Sequence, residues 1–355
     1  MQVTEIHFQG LFSETGLKEN DLNSEVLFNI PSLVTNETNW ELMDPFTEEE
    51  IIDVIWSMDP DKAPVPDGFS FKFYRVCWTV IKKDLPRMIK AFQLKAQIGG
   101  CNNSTFLALI PKEVNPTTFE RFRSISLYNA SYKILSKLLD NWIKPLLRKL
   151  ISPLQGGFIE GRYTLDNVIH VQEAMQSSFQ RQEKGMLIKI DVANSLDKVR
   201  LSFLYKVLLS FGFSSAFVNL IKSWTDKPWA APLINGRPTN FFQATRGLRQ
   251  GCPLLSFLYI LMVESLSRKL SIEKEAEIIP GIKSAIGVDS INHALYAKDS
   301  LLLRGASLRM ARAFKEILQN FCLITGALIN NRKRISLNNL EYIKHIRIFW
   351  IWHLG

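Results

Sequence analysis
The 355 residues are 46% hydrophobic and 22% charged, which excludes a disordered tail or a disulfide-stapled mini-domain. At about 100–200 residues per domain, a packed chain of two or three lobes is expected. The net charge of +9 is unevenly spread: residues 1–60 hold thirteen acids and one base, Lys18, for a net −12, and the other 295 residues net +21. A basic body behind an acidic leader fits a polyanionic partner, with a merely solvated lysine surface as the plain alternative.

Residues 1–44 are acidic, Asn-rich and weakly periodic, and read as a leader or linker. A helix then starts with clear chemistry: Thr47 as N-cap, Glu50 at the reciprocal capping-box position, Phe46 and Ile51 as a hydrophobic staple, and Ile51, Val54, Ile55 and Met58 as the apolar face. It must end before Pro60. After the Pro-rich loop 62–69, a second amphipathic helix runs through Phe73, Cys77, Trp78, Val80 and Ile81. Residues 105–112 read as a strand and 131–150 as a helix, and seven bases against Asp140 alone make 121–150 the densest basic patch. Its alternatives are a backbone-tracking surface for nucleic acid, with salt-sensitive affinity, or a solvated helix face.

From residue 185 the pattern changes. GMLIKIDV (185–192) is a buried-strand run ending in Asp191, followed by a helix through Phe203, Leu204, Val207 and Leu208. Asn235-Gly236 marks a two-residue hairpin turn within 232–242. Residues 253–270 form a long apolar helix, 291–303 a second hairpin around Ala297-Lys298-Asp299, and 308–323 a helix before Thr325-Gly326 and a last short strand. This order predicts an α+β fold with helices on one face of a sheet. Cys77, Cys101, Cys252 and Cys322 are scattered without CxxC or Cys/His metal spacing, and there is neither a signal peptide nor an apolar run of the ~20 residues a membrane helix needs. A soluble intracellular protein, with no membrane contact and the nucleus or cytoplasm unresolved, is the expectation.

Nine segments, in this order, resemble the reverse transcriptase of LINE-type (non-LTR) retrotransposons, most closely the plant kind. They are KAPVPDGF (62–69), NSTFLALIPK (103–112), FRSISLYNASYKILSKLL (122–139), QGGFIEGR (155–162) with Asp166-Asn167, KIDVANSLDKV (189–199), NG (235–236), RGLRQGCPL (246–254), HALYAKD (293–299) and TGALINNRK (325–333). Each is weak alone, and together they are specific. The resemblance implies a right-hand polymerase fold: fingers over 45–184, a palm over 185–335 whose antiparallel sheet is backed by helices, and a thumb mostly missing. Residues 336–355 do not resemble the expected continuation and look like a truncated end. RNA template, DNA primer and dNTP are the implied partners, and two Mg²⁺ ions the implied cofactor.

Two divalent cations about 3.5–4 Å apart are the usual apparatus of nucleotide addition, and such hard ions want carboxylate oxygen. By resemblance, Asp191 matches the first metal-binding Asp and Asp299 the second of an adjacent hairpin pair, while Lys298 stands where the first of that pair is normally Asp. A Lys ammonium about 4 Å from a carboxylate gains about 4 kcal/mol at an effective dielectric of 20, so Lys298 is expected to occupy metal space and to abolish most catalysis. The competing reading of Asp191 is a strand-end cap or ion-pair partner, and of Asp299 an ordinary turn aspartate. Asp197 reads as structural, in the first turn of the next helix.

The other matches concern nucleotide binding. Lys112 and Arg123 match positions that contact the triphosphate, a role that suits ammonium and guanidinium groups. Leu196 replaces the aromatic that lies under the incoming sugar. Gln250 and Gly251 match a template and nucleotide contact. Lys333 matches a lysine able to protonate the leaving pyrophosphate. Solvated surface charge is the competing reading of Lys112, Arg123 and Lys333, and core packing that of Leu196. Beside an active polymerase, two further functional readings are carried: a non-catalytic nucleic-acid-binding remnant, and a decayed fragment with no function.

Overall fold
The computed structural model describes residues 2–14, 27, 29–61, 66–98, 103–182, 185–193, 196–285, 287–297, 299–305 and 307–329. Lys298, Lys333 and the tail 336–355 lie outside them. Helices and two mixed or antiparallel sheets make the chain α+β, as its pattern predicted.

The strands, in chain order, are β1 (Ser104–Pro111), β2 (Phe122–Tyr128), β3 (Gly185–Ala193), β4 (Trp229–Ile234), β5 (Arg237–Pro238), β6 (Phe242–Gln243), β7 (His293–Tyr296), β8 (Asp299–Gly305) and β9 (Leu328–Ile329). The chain divides into two compact units. One comprises residues 1–19, 32–147 and 196–258, the other 20–31, 148–195 and 259–355. Each unit is therefore discontinuous in sequence.

In the first unit the sheet order is β2-β1-β4-β5, with β6 also on β4; β1 pairs antiparallel with β2 and parallel with β4. The helix Glu48–Ser57 begins as predicted. Thr47 Oγ1 accepts from the Glu50 N–H, and Glu50 Oε2 accepts from the Thr47 N–H at 2.8 Å. Glu50 Oε1 also accepts from the Trp142 indole, at 2.8 Å, and Phe46 lies against the same ring at 4.1 Å between centroids. One carboxylate thus caps this helix and fixes it to the helix Ala130–Ile143. The latter stops before Pro145, which cannot donate to the helical ladder, so the expected 131–150 helix becomes three short pieces. The expected amphipathic helix around Phe73–Ile81 is likewise broken, into Phe71–Val76 and Trp78–Ile81, and a further helix, Asp84–Lys95, follows it. A column of rings, Tyr128, Tyr132 and Trp224, stacks at 4.5 and 4.7 Å in this unit's core.

Of the stretch 1–44, expected as a leader or linker, residues 2–12 and 33–41 take part in the first unit. Residues Gln2–Phe12 form a helix whose Phe8 and Phe12 are buried in one cluster with Leu107, Ala230, Phe242 and Ala244. The Phe12 carbonyl accepts from the Thr245 N–H at 2.9 Å. Further on, the Leu33 and Val34 N–H groups both donate to the Phe211 carbonyl at 2.9 Å, and Asn36–Glu41 is helical behind a Thr35 cap.

In the second unit the order is β7-β8-β3-β9, every pairing antiparallel. Behind it lies the helix Thr164–Gln180, whose Val171 and Ala174 share a cluster with Ile282, Ala294 and Leu303. Glu264, on the helix Pro253–Glu275, is fully buried. It accepts from the Ser152 N–H at 3.0 Å and pairs with Arg268 at 2.7 Å.

Phe12→Ala removes a fully buried ring, so we expect a loss of about 3–5 kcal/mol in the unfolding free energy measured by urea titration. A loss under about 1 kcal/mol would return residues 1–44 to the status of an appended leader.

Candidate active site
The second unit holds the two matched aspartates. β3 and β8 pair without interruption from Gly185↔Gly305 to Asp191↔Asp299. Directly opposed residues of an antiparallel pair project on one face with Cβ atoms about 5 Å apart, so the two carboxylates share a face at the end of the ladder. Asp191 is buried at 7% exposure and Asp299 is half-buried. Tyr296 is opposite Asp299 on β7, which leaves Ala297 and Lys298 as the two-residue connection. Asp299 is therefore the first residue of β8, not part of the turn. Ala297 has φ +51°, the left-handed conformation that two-residue hairpin turns require.

Among the described residues no third His, Cys, Asp or Glu joins the two aspartates in a group able to hold a metal. The next residue in sequence, Lys298, brings an ammonium instead of a carboxylate. This donor set does not fit the pair of cations that the resemblance implies.

The hairpin carrying Asp299 is held from behind by residues 154–167 of the same unit. The Leu295 N–H donates to the Leu154 carbonyl at 2.8 Å, and the Gly156 N–H to the Leu295 carbonyl at 2.9 Å. Asn167 Nδ2 donates to both the Leu295 and Leu154 carbonyls, at 2.8 and 3.1 Å. Arg162 gathers the loop by donating to the carbonyls of Ile151, Ser152 and Gln155. The sequence marked this segment only through its two adjacent glycines and its family likeness. Its roles in binding backbone atoms some 140 residues away were not legible.

The matched nucleotide-binding positions lie in the first unit. β1 and β2 place Ile110 opposite Arg123, whose side chain is exposed, and the exposed Lys112 Nζ donates to the Glu120 carbonyl at 2.8 Å. Leu196 is half-buried, and its carbonyl accepts from the Leu248 N–H at 2.6 Å. The Gln250 carbonyl accepts from the Ser126 N–H at 2.8 Å. Gly251 has φ +124°, and a Cβ there would sit 2.8 Å from the Ser126 carbonyl oxygen. Closeness to β2 alone thus requires glycine at 251, with or without a bound base pair.

Two further residues support this array. Arg249 is buried, its guanidinium 5.0 Å from the Tyr128 ring centre and 5.3 Å from that of Tyr132, and it donates to Asn103 Oδ1 at 3.1 Å and the Tyr132 hydroxyl at 2.9 Å. That seats the segment leading to Gln250. Asp197 precedes the helix Leu201–Ser210 instead of lying within it, and accepts from Ser124 Oγ at 3.3 Å. Burial raises its carboxyl pKa to about 7, against the opposing pull of Ser124, Lys112 and Lys198. The basic stretch 121–150 is less free than its composition implies, since Arg121 pairs with Glu113 and Lys137 with Asp140, the latter at 2.5 Å.

Comparison with known proteins decides the family, because residues 110–343 match the one described as reverse transcriptase (RNA-dependent DNA polymerase). The chain belongs to the reverse transcriptase family. It is 26% identical over 257 residues to the transposon TX1 uncharacterized 149 kDa protein of Xenopus laevis, covering 72% of this chain and 20% of that protein. It is 24% identical over 274 residues to the Pol polyprotein of the type-2 retrotransposable element R2DM of Drosophila melanogaster, covering 76% and 24%. An uncharacterized mitochondrial protein of Arabidopsis thaliana is 41% identical over 68 residues, 19% of this chain and 56% of that one. The LINE-type resemblance read from the motifs is borne out. This reverse transcriptase chain spans about a fifth to a quarter of the first two relatives. No helix among its described residues is long and apolar enough to cross a membrane.

A carboxyl whose folded pKa lies above its unfolded value favours the fold when protonated, so Asp197 costs stability as pH rises from about 4 to about 7. Glu264, raised by burial to about 7, acts in the same direction in the other unit. Asp197→Asn keeps the acceptor for Ser124 and removes the charge. We expect it to raise the unfolding free energy at pH 8 by on the order of 2 kcal/mol relative to the parent chain, and to change little at pH 4. An equal effect at both pH values in urea titrations would show that Asp197 is not buried as a proton-binding group.

Proposed function
We propose that the chain is a reverse transcriptase domain of a non-LTR retrotransposon whose nucleotidyl transfer has been lost through Lys298. Residues 45–184 are fingers and 185–335 palm in this reading, and RNA template, DNA primer and dNTP are the ancestral partners. One observation carries it: the ladder brings Asp191 and Asp299 face to face, and the residue next to Asp299 is a lysine. Reverse transcriptases use divalent metal, and Asp191 and Asp299 are the residues that would hold it here. A cation set between them meets one carboxylate too few and one ammonium too many. The Lys298 charge adds +2 relative to an aspartate, and the attraction of an ammonium for either carboxylate competes with the ion for the same oxygens.

The nucleotide side keeps its apparatus in part. Arg123 and Lys112 are exposed cations on the β1–β2 pair, and Gln250 is fixed by its backbone to β2. Leu196 offers no ring for the sugar, so discrimination between deoxy- and ribonucleotides is weakened. Lys333 remains the candidate proton donor to pyrophosphate. A nucleic-acid-binding protein without catalysis is the second reading. It draws support from the helices over 71–95, where seven bases meet a single acid, Asp84, and Lys72, Lys82, Lys83 and Lys90 are exposed.

Primer extension on an RNA template with Mg²⁺ or Mn²⁺ tests the first reading. The unaltered chain is expected to give no extension above background, and Lys298→Asp a gain of at least about tenfold, equivalent to about 1.4 kcal/mol of barrier. Adding Asp191→Asn to the revertant should remove that gain. Extension by the unaltered chain at the rate of the Lys298→Asp chain contradicts the loss of catalysis.

A further inference from the structure
The turn that joins β7 to β8 is gripped by one side chain. Gln155 is 1% exposed, and its Oε1 accepts from two backbone N–H groups, Gly157 at 3.0 Å and Ala297 at 2.9 Å. Its Nε2 has no partner among the described residues, so the bonds it makes through the side chain are those of its carbonyl oxygen. Ala297 is the residue held at φ +51°, a conformation that costs a non-glycine residue about 1–2 kcal/mol and persists only where its surroundings impose it. Gly157 has no room for a side chain, because a Cβ would lie 2.7 Å from the Ala297 nitrogen. Gln155 itself forms a parallel bridge with Leu295, and its own carbonyl is held by Arg162 at 2.9 Å.

We infer that Gln155 is a positioning residue for the β7–β8 turn: its amide oxygen holds Ala297 left-handed, so that β8 begins at Asp299 in register with Asp191. The inference deepens the reverse transcriptase reading and rests on it for the use of that register. The turn has two residues. A change of conformation at Ala297 has to be absorbed by its neighbour or by a slip of β8, and a slip of one residue moves every β8 side chain to the other face. The grip lies at the edge of the sheet farthest from β3, because β7 is the outer strand, and so it touches neither aspartate. Gly156, Gly157 and Asn167 complete the contact by bringing the 154–157 backbone against β7. The QGGF run thereby supplies an acceptor at 155 and a side-chain-free surface at 157, and the turn needs both.

Gln155→Met keeps the length and removes the acceptor, whereas Gln155→Glu keeps an acceptor. With alanine ¹⁵N-labelled in the full chain, we expect Gln155→Met to speed hydrogen exchange of the Ala297 amide by about tenfold or more, the size set by losing a buried hydrogen bond. Amides in the middle of β3 and β8 should change by less than about twofold, and Gln155→Glu should restore protection at Ala297. If Gln155→Met does not fold, Gly157→Ala carries the test, since its methyl group should displace the same turn and expose the same amide. An unchanged Ala297 amide overturns the inference, as does equal acceleration across β3 and β8, which would mark general destabilisation. In the Lys298→Asp chain, Gln155→Met should lower kcat for single-nucleotide addition with little change in the KM for dNTP; equal loss in both would also count against positioning. If Lys298→Asp is itself inactive, the functional reading fails while the exchange data still decide the role of Gln155.

Discussion
β3 and β8 meet over seven consecutive residue pairs, and the last of these is Asp191 with Asp299. An antiparallel ladder has a period of two, so this register alone decides whether the two carboxylates share a face or oppose one another across the sheet. It also ties together distant parts of the second unit, because β8 is entered through the turn at Ala297, which residues 154–157 hold. Apolar residues in the same ladder, among them Ile188, Ile190, Leu302 and Leu303, are buried and make slippage costly.

The proposed loss of catalysis rests on that register and one side chain: in that reading Asp191 and Asp299 are the donors for a hard cation, and the residue beside Asp299 is a lysine instead of a third carboxylate. The matched nucleotide-binding positions of the first unit are held by packing and hydrogen bonds. Arg249 lies over Tyr128 and Tyr132, Gly251 presses on Ser126, and Arg123 stands out from β2. These contacts are all made within the first unit, among its own residues.

Local chemistry was legible in the sequence wherever neighbours in the chain complete it. Thr47 and Glu50 close a capping box three residues apart, and Asn235-Gly236 takes the positive φ values its turn needs, +50° and +76°. The hairpin of 291–303 was readable for the same reason. What escaped depends on partners far away. The helix Gln2–Phe12 has weak periodicity, but Phe8 and Phe12 find Leu107 and Phe242. The alternation in β2 is broken by the buried Ser124 and Ser126; the Ser124 hydroxyl donates to Asp197, and the Ser126 backbone N–H donates to the Gln250 carbonyl. The hold of Gln155 on Ala297 was not legible, because the two are 142 positions apart. The metal-binding reading of Asp191 and Asp299 comes from family likeness, and the pairing of β3 with β8 adds that the two lie opposite each other.

The central claim concerns the competition between Lys298 and a divalent cation for two carboxylates. It is tested most directly by titrating the unaltered chain with Mn²⁺ and following the free ion by electron paramagnetic resonance at near-neutral pH. The account predicts no more than weak binding, unchanged by replacing Asp191 and Asp299 together with Asn, and stronger binding once Lys298 is made Asp. Saturable binding of two ions by the unaltered chain, lost in the Asp191→Asn, Asp299→Asn double variant, would contradict it.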